Sequence, residues 1–158
     1  MKYLLMIAFV VVVMIVAQGV CRQYRERCVL FESVNDFFRQ MQLNLAFQKQ
    51  KIKEILEKTT IKKNNREIYT IYLEYLNSGK AIDLTSIKIL DDTEQEQISS
   101  MLLSLGKSNA ESEIKQLEVY EKYLQDKIQS SKQEKEKYCP LITKLSFLFS
   151  VGLVILFI

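Results

Sequence analysis

Two stretches of this chain carry almost nothing that water can solvate, and they stand at its opposite ends. Residues Tyr3 to Val20 read YLLMIAFVVVVMIVAQGV, uncharged, with Gln18 the one strongly polar side chain. Residues Leu141 to Ile158 read LITKLSFLFSVGLVILFI, with one charge at Lys144. Each is 18 residues long, about 27 Å as a helix, close to the roughly 30 Å hydrocarbon core of a bilayer. Two transmembrane helices, over residues 3–20 and 141–158, are therefore expected. The near-zero mean hydropathy averages two oily ends with a polar middle.

That middle, residues 21–140, holds all 19 acidic side chains and all but two of the 22 Lys and Arg residues, so its net charge is only +1. A nucleic-acid domain would show a basic excess or stripe, and none is visible. Its one proline, Pro140, lies at its very end and glycines are few, a composition of helices joined by short loops. The cysteines, Cys21, Cys28 and Cys139, include no CxxC, and the chain has no histidine to complete a zinc site. Their odd number and positions beside the apolar segments predict free thiols at the membrane surface rather than a disulfide scaffold.

The N-terminal segment competes with a cleaved signal peptide, since Ala17-Gln18-Gly19 resembles a cleavage site. Cleavage would give an exported protein beginning near Val20 and held by a C-terminal tail anchor. Cys21 suggests a lipoprotein, but Val20 is too bulky for a lipobox. Arg22, Arg25 and Arg27 follow directly, and basic residues there resist translocation, so an uncleaved anchor is expected. The same rule orients the chain. Lys2 alone precedes the first segment, whereas Arg22, Arg25 and Arg27 follow it, and Lys132, Lys135, Lys137 and Lys144 lie at the inner side of the second. Both clusters place the central domain in the cytoplasm.

From Arg22 the pattern stays helical, with Leu30, Val34, Phe37, Phe38, Met41 and Leu45 at spacings of three and four. The first membrane helix should run on to near Gln48. A shorter helix is expected over Lys49 to Lys58, then a turn at Asn64-Asn65. Ile68, Tyr69, Tyr72, Leu73, Tyr75 and Leu76 form the next apolar face, which stops at Asn77-Ser78-Gly79. Residues Lys80 to Asp91 have no partner strand, so a helix or loop packed on the bundle is expected. Thr93 and Glu96 read as a capping box before the stripe Ile98, Met101, Leu102 and Leu105, which Gly106 ends. Ser108 and Glu111 read as a second box. Ile114, Leu117, Tyr120, Leu124 and Ile128 then recur at a mean spacing of 3.5, as in coiled-coil packing. Pro140 marks the junction with the second membrane segment. The expected fold is all-α, an antiparallel helical bundle between the two transmembrane helices.

No catalytic constellation emerges. Gly106-Lys107-Ser108 looks like the end of a P-loop, but Met101 occupies the position where that motif needs its first glycine, and no strand precedes it. Asp91-Asp92 reads as a helix start. The eight tyrosines sit mostly at helical spacing and read as core or interface. We expect an assembly part, not an enzyme, with no metal, cofactor, small-molecule substrate or nucleic acid, and with membrane lipids and proteins as its partners. The helix from Ala110 to Lys137 carries more alternating charge than packing requires. Lys127, Lys132, Glu134, Lys135 and Glu136 form a candidate partner-binding face, which a solvated surface would also explain.

The order of features resembles the stage III sporulation protein AB family of endospore-forming bacteria. An anchor and basic juxtamembrane helix precede LLSLGKSNAESEIKQLEVYEKYL (Leu102 to Leu124), and KYCPLITKLSFLFSVGLVILFI closes the chain. The likeness is strongest over those two stretches and weakest over Lys49 to Leu90. It implies a part of the channel assembled between mother cell and forespore, related to specialised secretion machines. It also implies a soluble domain like the platform domains of type II secretion and type IV pilus systems. Such a platform would bind a cytoplasmic hexameric ATPase of the stage III sporulation protein AA type. A two-span sensor or regulator, dimerising through its long C-terminal helix, is the competing reading.

Overall fold

The computed structural model describes residues 2–48, 66–79, 81–85 and 87–157. The helix expected over Lys49 to Lys58 and the turn at Asn64-Asn65 lie outside them. Four helices make up the described chain: α1 (Lys2–Gln48), α2 (Arg66–Ser78), α3 (Asp92–Ser104) and α4 (Ala110–Phe157). The fold is all-α, with no strand among the described residues. α1 and α4 run antiparallel, each 45 residues or more, and each carries a stretch long and apolar enough to cross a membrane.

The chain divides into two compact units, Val29–Ile128 and the pair of segments Met1–Cys28 and Gln129–Ile158. The first is the helical bundle. From α1, Leu30, Phe31, Val34, Phe37, Phe38 and Met41 are all buried, the 3–4 spacing turning one face of the helix inward. The side chain of Leu45 lies outside those described. Ile68, Tyr69 and Tyr72 of α2, Ile98, Met101 and Leu102 of α3, and Leu117 and Leu124 of α4 close the core. Phe37 is its aromatic hub, with edge-to-face contacts to Phe38 (5.5 Å), Tyr69 (6.3 Å) and Tyr72 (5.7 Å). Phe38 meets Tyr120 at 5.7 Å across α1 and α4. Such geometry matches the ring quadrupoles.

Between α2 and α3 the described residues form a packed loop, as the missing partner strand implied. α2 stops at Gly79, whose φ of +65° suits a residue without a Cβ and whose N–H donates to the Tyr75 carbonyl at 2.9 Å. Leu84, Ile87 and Leu90 then bury themselves at a three-residue interval. Ile87 N–H donates to the Leu84 carbonyl (2.9 Å) and Leu90 N–H to the Ile87 carbonyl (3.2 Å). Successive tight turns thus bring every third side chain to the same side, a period no strand has.

Both expected capping boxes are displaced. α3 is capped by Asp91, whose Oδ1 accepts the Glu94 N–H at 2.7 Å while Glu94 Oε2 accepts the Asp91 N–H at 3.4 Å. Thr93 and Glu96 therefore do not form the box. Starting two residues earlier turns Glu94 inward to meet Lys127, and Asp is a better cap than Thr. α4 is capped by Asn109, whose Oδ1 accepts the Ser112 N–H at 2.9 Å. Ser108 and Glu111 form no box, because the Ser108 hydroxyl is donated to Glu113. α3 ends as expected, at a Leu105 cap followed by Gly106 with φ +78°.

The second unit has the opposite distribution of side chains. Ala17 and Cys28 of α1 and Ser131 and Ser150 of α4 are buried, whereas Ile7, Ile15, Val16, Leu145, Leu148 and Ile155 are each at least 61% exposed. Small groups inside and large apolar ones outside suit hydrocarbon as the surrounding solvent, where close helix approach replaces a hydrophobic drive. Pro140 sits inside α4, which runs through it without a break. Its ring removes the N–H that would have bonded the Glu136 carbonyl and crowds that carbonyl.

Candidate functional site

The Gly106-Lys107-Ser108 turn shows why a phosphate-loop reading fails. Glu113, 3% exposed, reaches back from the first turn of α4. Its carboxylate accepts the Gly106 N–H at 2.7 Å, the Ser108 N–H at 3.4 Å and the Ser108 hydroxyl at 2.8 Å. The donors that could hold an anion already hold one from the same chain. The turn is a staple between α3 and α4.

A buried ion pair joins the start of α3 to α4. Glu94 is fully buried, and its Oε1 accepts from Lys127 Nζ at 2.8 Å. Lys127 also stands 5.8 Å from the centre of the Tyr123 ring. The hydrogen bond to Glu94 pushes the Lys127 ammonium above its ordinary range. Burial raises the Tyr123 phenol, whose hydroxyl donates to Gln97. One of the five charges expected on a partner-binding face is therefore committed within the bundle. Of the others, Lys132 and Glu136 are exposed and Glu134 and Lys135 half-buried.

The membrane-flanking basic residues also separate into kinds. Arg22 pairs with Glu26 at 2.5 Å on the same helix. Arg27 is half-buried and Lys144 exposed. Arg25 instead lines a cleft of about 610 Å³ with Gln18 and Cys21 of α1 and Lys135, Glu136, Cys139, Pro140 and Thr143 of α4. Across it Cys21 Sγ approaches the Cys139 carbonyl at 3.7 Å and Cys139 Sγ the Cys21 carbonyl at 3.8 Å. The Tyr24 and Tyr138 rings of the same two helices stack at 5.9 Å. None of the three cysteines is in a disulfide. Burial and the neighbouring Cys21 push the Cys139 thiol up, while Arg25 and Lys135 pull it the other way.

The structure thus joins Arg25 and Lys135, which the sequence placed in separate groups. Glu94 was missed altogether. Its only sequence signal is the Asp91-x-x-Glu94 spacing, which competes with Thr93-x-x-Glu96. Among the described residues no cluster of Cys, Asp and Glu could hold a metal ion.

These features describe a helical unit on two apolar helices, and the comparison of sequences identifies its family. The sequence model of the family described as stage III sporulation protein AB matches residues 2–158. The chain belongs to this family. Membership places it in stage III of sporulation, and its two apolar helices point to membrane association. No curated protein and no solved structure matches the chain.

Proposed function

We propose that this chain is a membrane platform component of a secretion-like channel between mother cell and forespore, and that its helical unit docks a cytoplasmic ATPase. The observation behind this reading is the double use of α1 and α4. The helices that carry the apolar stretches also supply Phe31 to Met41, Leu117 and Leu124 of the bundle core, with no loop between the two uses. A binding surface carried on helices that continue as membrane spans is what a platform needs. The excess of Arg22, Arg25 and Arg27 over Lys2 favours the bundle on the cytoplasmic side of the mother-cell membrane. Recognition would be by exposed side chains, without cofactor or catalysis. The sensor reading needs the 3.5-spaced stripe of α4 for dimerisation, but Leu117 and Leu124 are 1% and 0% exposed inside the chain's own core.

The test is co-purification of the full-length protein, in membranes or mild detergent, with the AA-type ATPase of the same system at low and high salt. A complex at low salt that weakens as salt rises is expected if charges such as Lys132 and Glu136 meet a complementary surface. Binding that survives high salt keeps the partner but moves its site off the charged face. No association under either condition rejects the platform role.

A further inference from the structure

We propose that the cleft lined by Arg25 and Lys135 binds the phosphate headgroup of an anionic phospholipid. The inference rests on the membrane position of α1 and α4 and is independent of the ATPase. Two cations from different helices border one space of about 610 Å³, within the usual size of small-molecule sites. No hydrogen bond or ion pair engages either of them among the described residues, whereas Arg22 is held by Glu26 and Lys127 by Glu94. Two like charges bordering one cleft repel each other, and an anion between them relieves that repulsion.

The depth of the cleft favours a lipid as the source of that anion. Arg25 lies five residues beyond Val20, and Lys135 lies six residues before Leu141. At 1.5 Å per residue both sit roughly 8 Å outside the apolar segments, at the level of the headgroup layer. Gln18 and Thr143 line the same cleft from within the apolar segments. The lining therefore runs from cationic at headgroup level to neutral and polar where a lipid carries its glycerol esters. A free phosphate would use only the outer end. Glu136 also borders the cleft, and its carboxylate offsets one cation. The remaining single positive charge matches the net charge of phosphatidylglycerol, a monoanion, better than that of zwitterionic phosphatidylcholine, which is neutral overall.

Native mass spectrometry of the full-length protein, equilibrated in micelles with phosphatidylglycerol or phosphatidylcholine, reads this directly. One phosphatidylglycerol should be retained in preference to phosphatidylcholine. Arg25→Ala with Lys135→Ala should weaken that retention roughly 30-fold, about fivefold for each cation near the membrane surface. Glu136→Gln should strengthen it, and the exchange Arg25→Lys with Lys135→Arg should largely preserve it. Arg22→Ala with Lys144→Ala removes the same charge outside the cleft and should leave retention unchanged. Equal loss in that control, or undiminished retention after Arg25→Ala with Lys135→Ala, overturns the site. Displacement of phosphatidylglycerol by millimolar inorganic phosphate overturns the lipid as its occupant.

Discussion

Leu102→Asp should abolish cooperative unfolding of the helical unit, and Leu102→Ala should weaken it by roughly 2–5 kcal/mol. Leu102 is 0% exposed and lies beside Ile98 and Met101 on the inward face of α3. Removing its isobutyl group leaves a cavity that surrounding helices fill only in part. An aspartate there adds an unpaired carboxylate with no donor to receive it. Against a typical total stability of about 5–15 kcal/mol, that combined loss is enough to unfold the unit. Circular dichroism of the full-length protein in detergent, with limited proteolysis of residues 29–128, measures both. Val119 of α4, 67% exposed, is the matched comparison. Val119→Asp should change stability by no more than about 0.5 kcal/mol. If both aspartates are tolerated equally, the core is drawn wrongly.

The ion pair gives the second large effect. Lys127→Ala removes the positive charge that stands 2.8 Å from the Glu94 carboxylate, which is 1% exposed. Breaking a buried pair from one side typically costs about 3–5 kcal/mol, and the one-third exposure of Lys127 brings the expectation to roughly 2–4. Replacing both partners, Glu94→Leu with Lys127→Met, should recover most of the loss because no charge is then stranded. A double variant as unstable as Lys127→Ala would show that the pair itself, rather than the stranded charge, sets the energy. The raised ammonium also has a pH signature. The folded state holds the Lys127 proton more tightly than the unfolded chain, whose lysines titrate near 10.5. The contribution is therefore complete below that value and lost as pH rises through the higher folded one. Tyr72, pushed up from 10.0 by burial, acts in the same direction. Stability should fall above about pH 10, by up to about 1.4 kcal/mol per pH unit for each group. Lys127→Ala should flatten that decline.

The apolar stripes were legible because their spacing is a property of one helix at a time. Leu30 to Met41 and the Leu117–Leu124 repeat point inward wherever their partners come from. Cap positions were less legible, since Asp91-x-x-Glu94 and Thr93-x-x-Glu96 satisfy the same local rule. What separates them is the burial of Glu94 against Lys127, 33 residues away. Lys127 itself looked like one charge in a solvated run, because a run of charges does not reveal which member faces the opposite helix. The cleft was hidden for a related reason. Arg25 and Lys135 are brought together only by the antiparallel register that sets Cys21 against Cys139.

We propose that the helical unit stands on the cytoplasmic side of a membrane that the chain spans twice. Ser78, exposed at the end of α2, is a suitable reporter. With Cys21, Cys28 and Cys139 replaced by alanine, the full-length Ser78→Cys protein is exposed to a membrane-impermeant thiol reagent in intact cells. No labelling is expected until the membrane is permeabilised, after which the cysteine should react fully. Labelling of intact cells would put the unit outside and contradict the account.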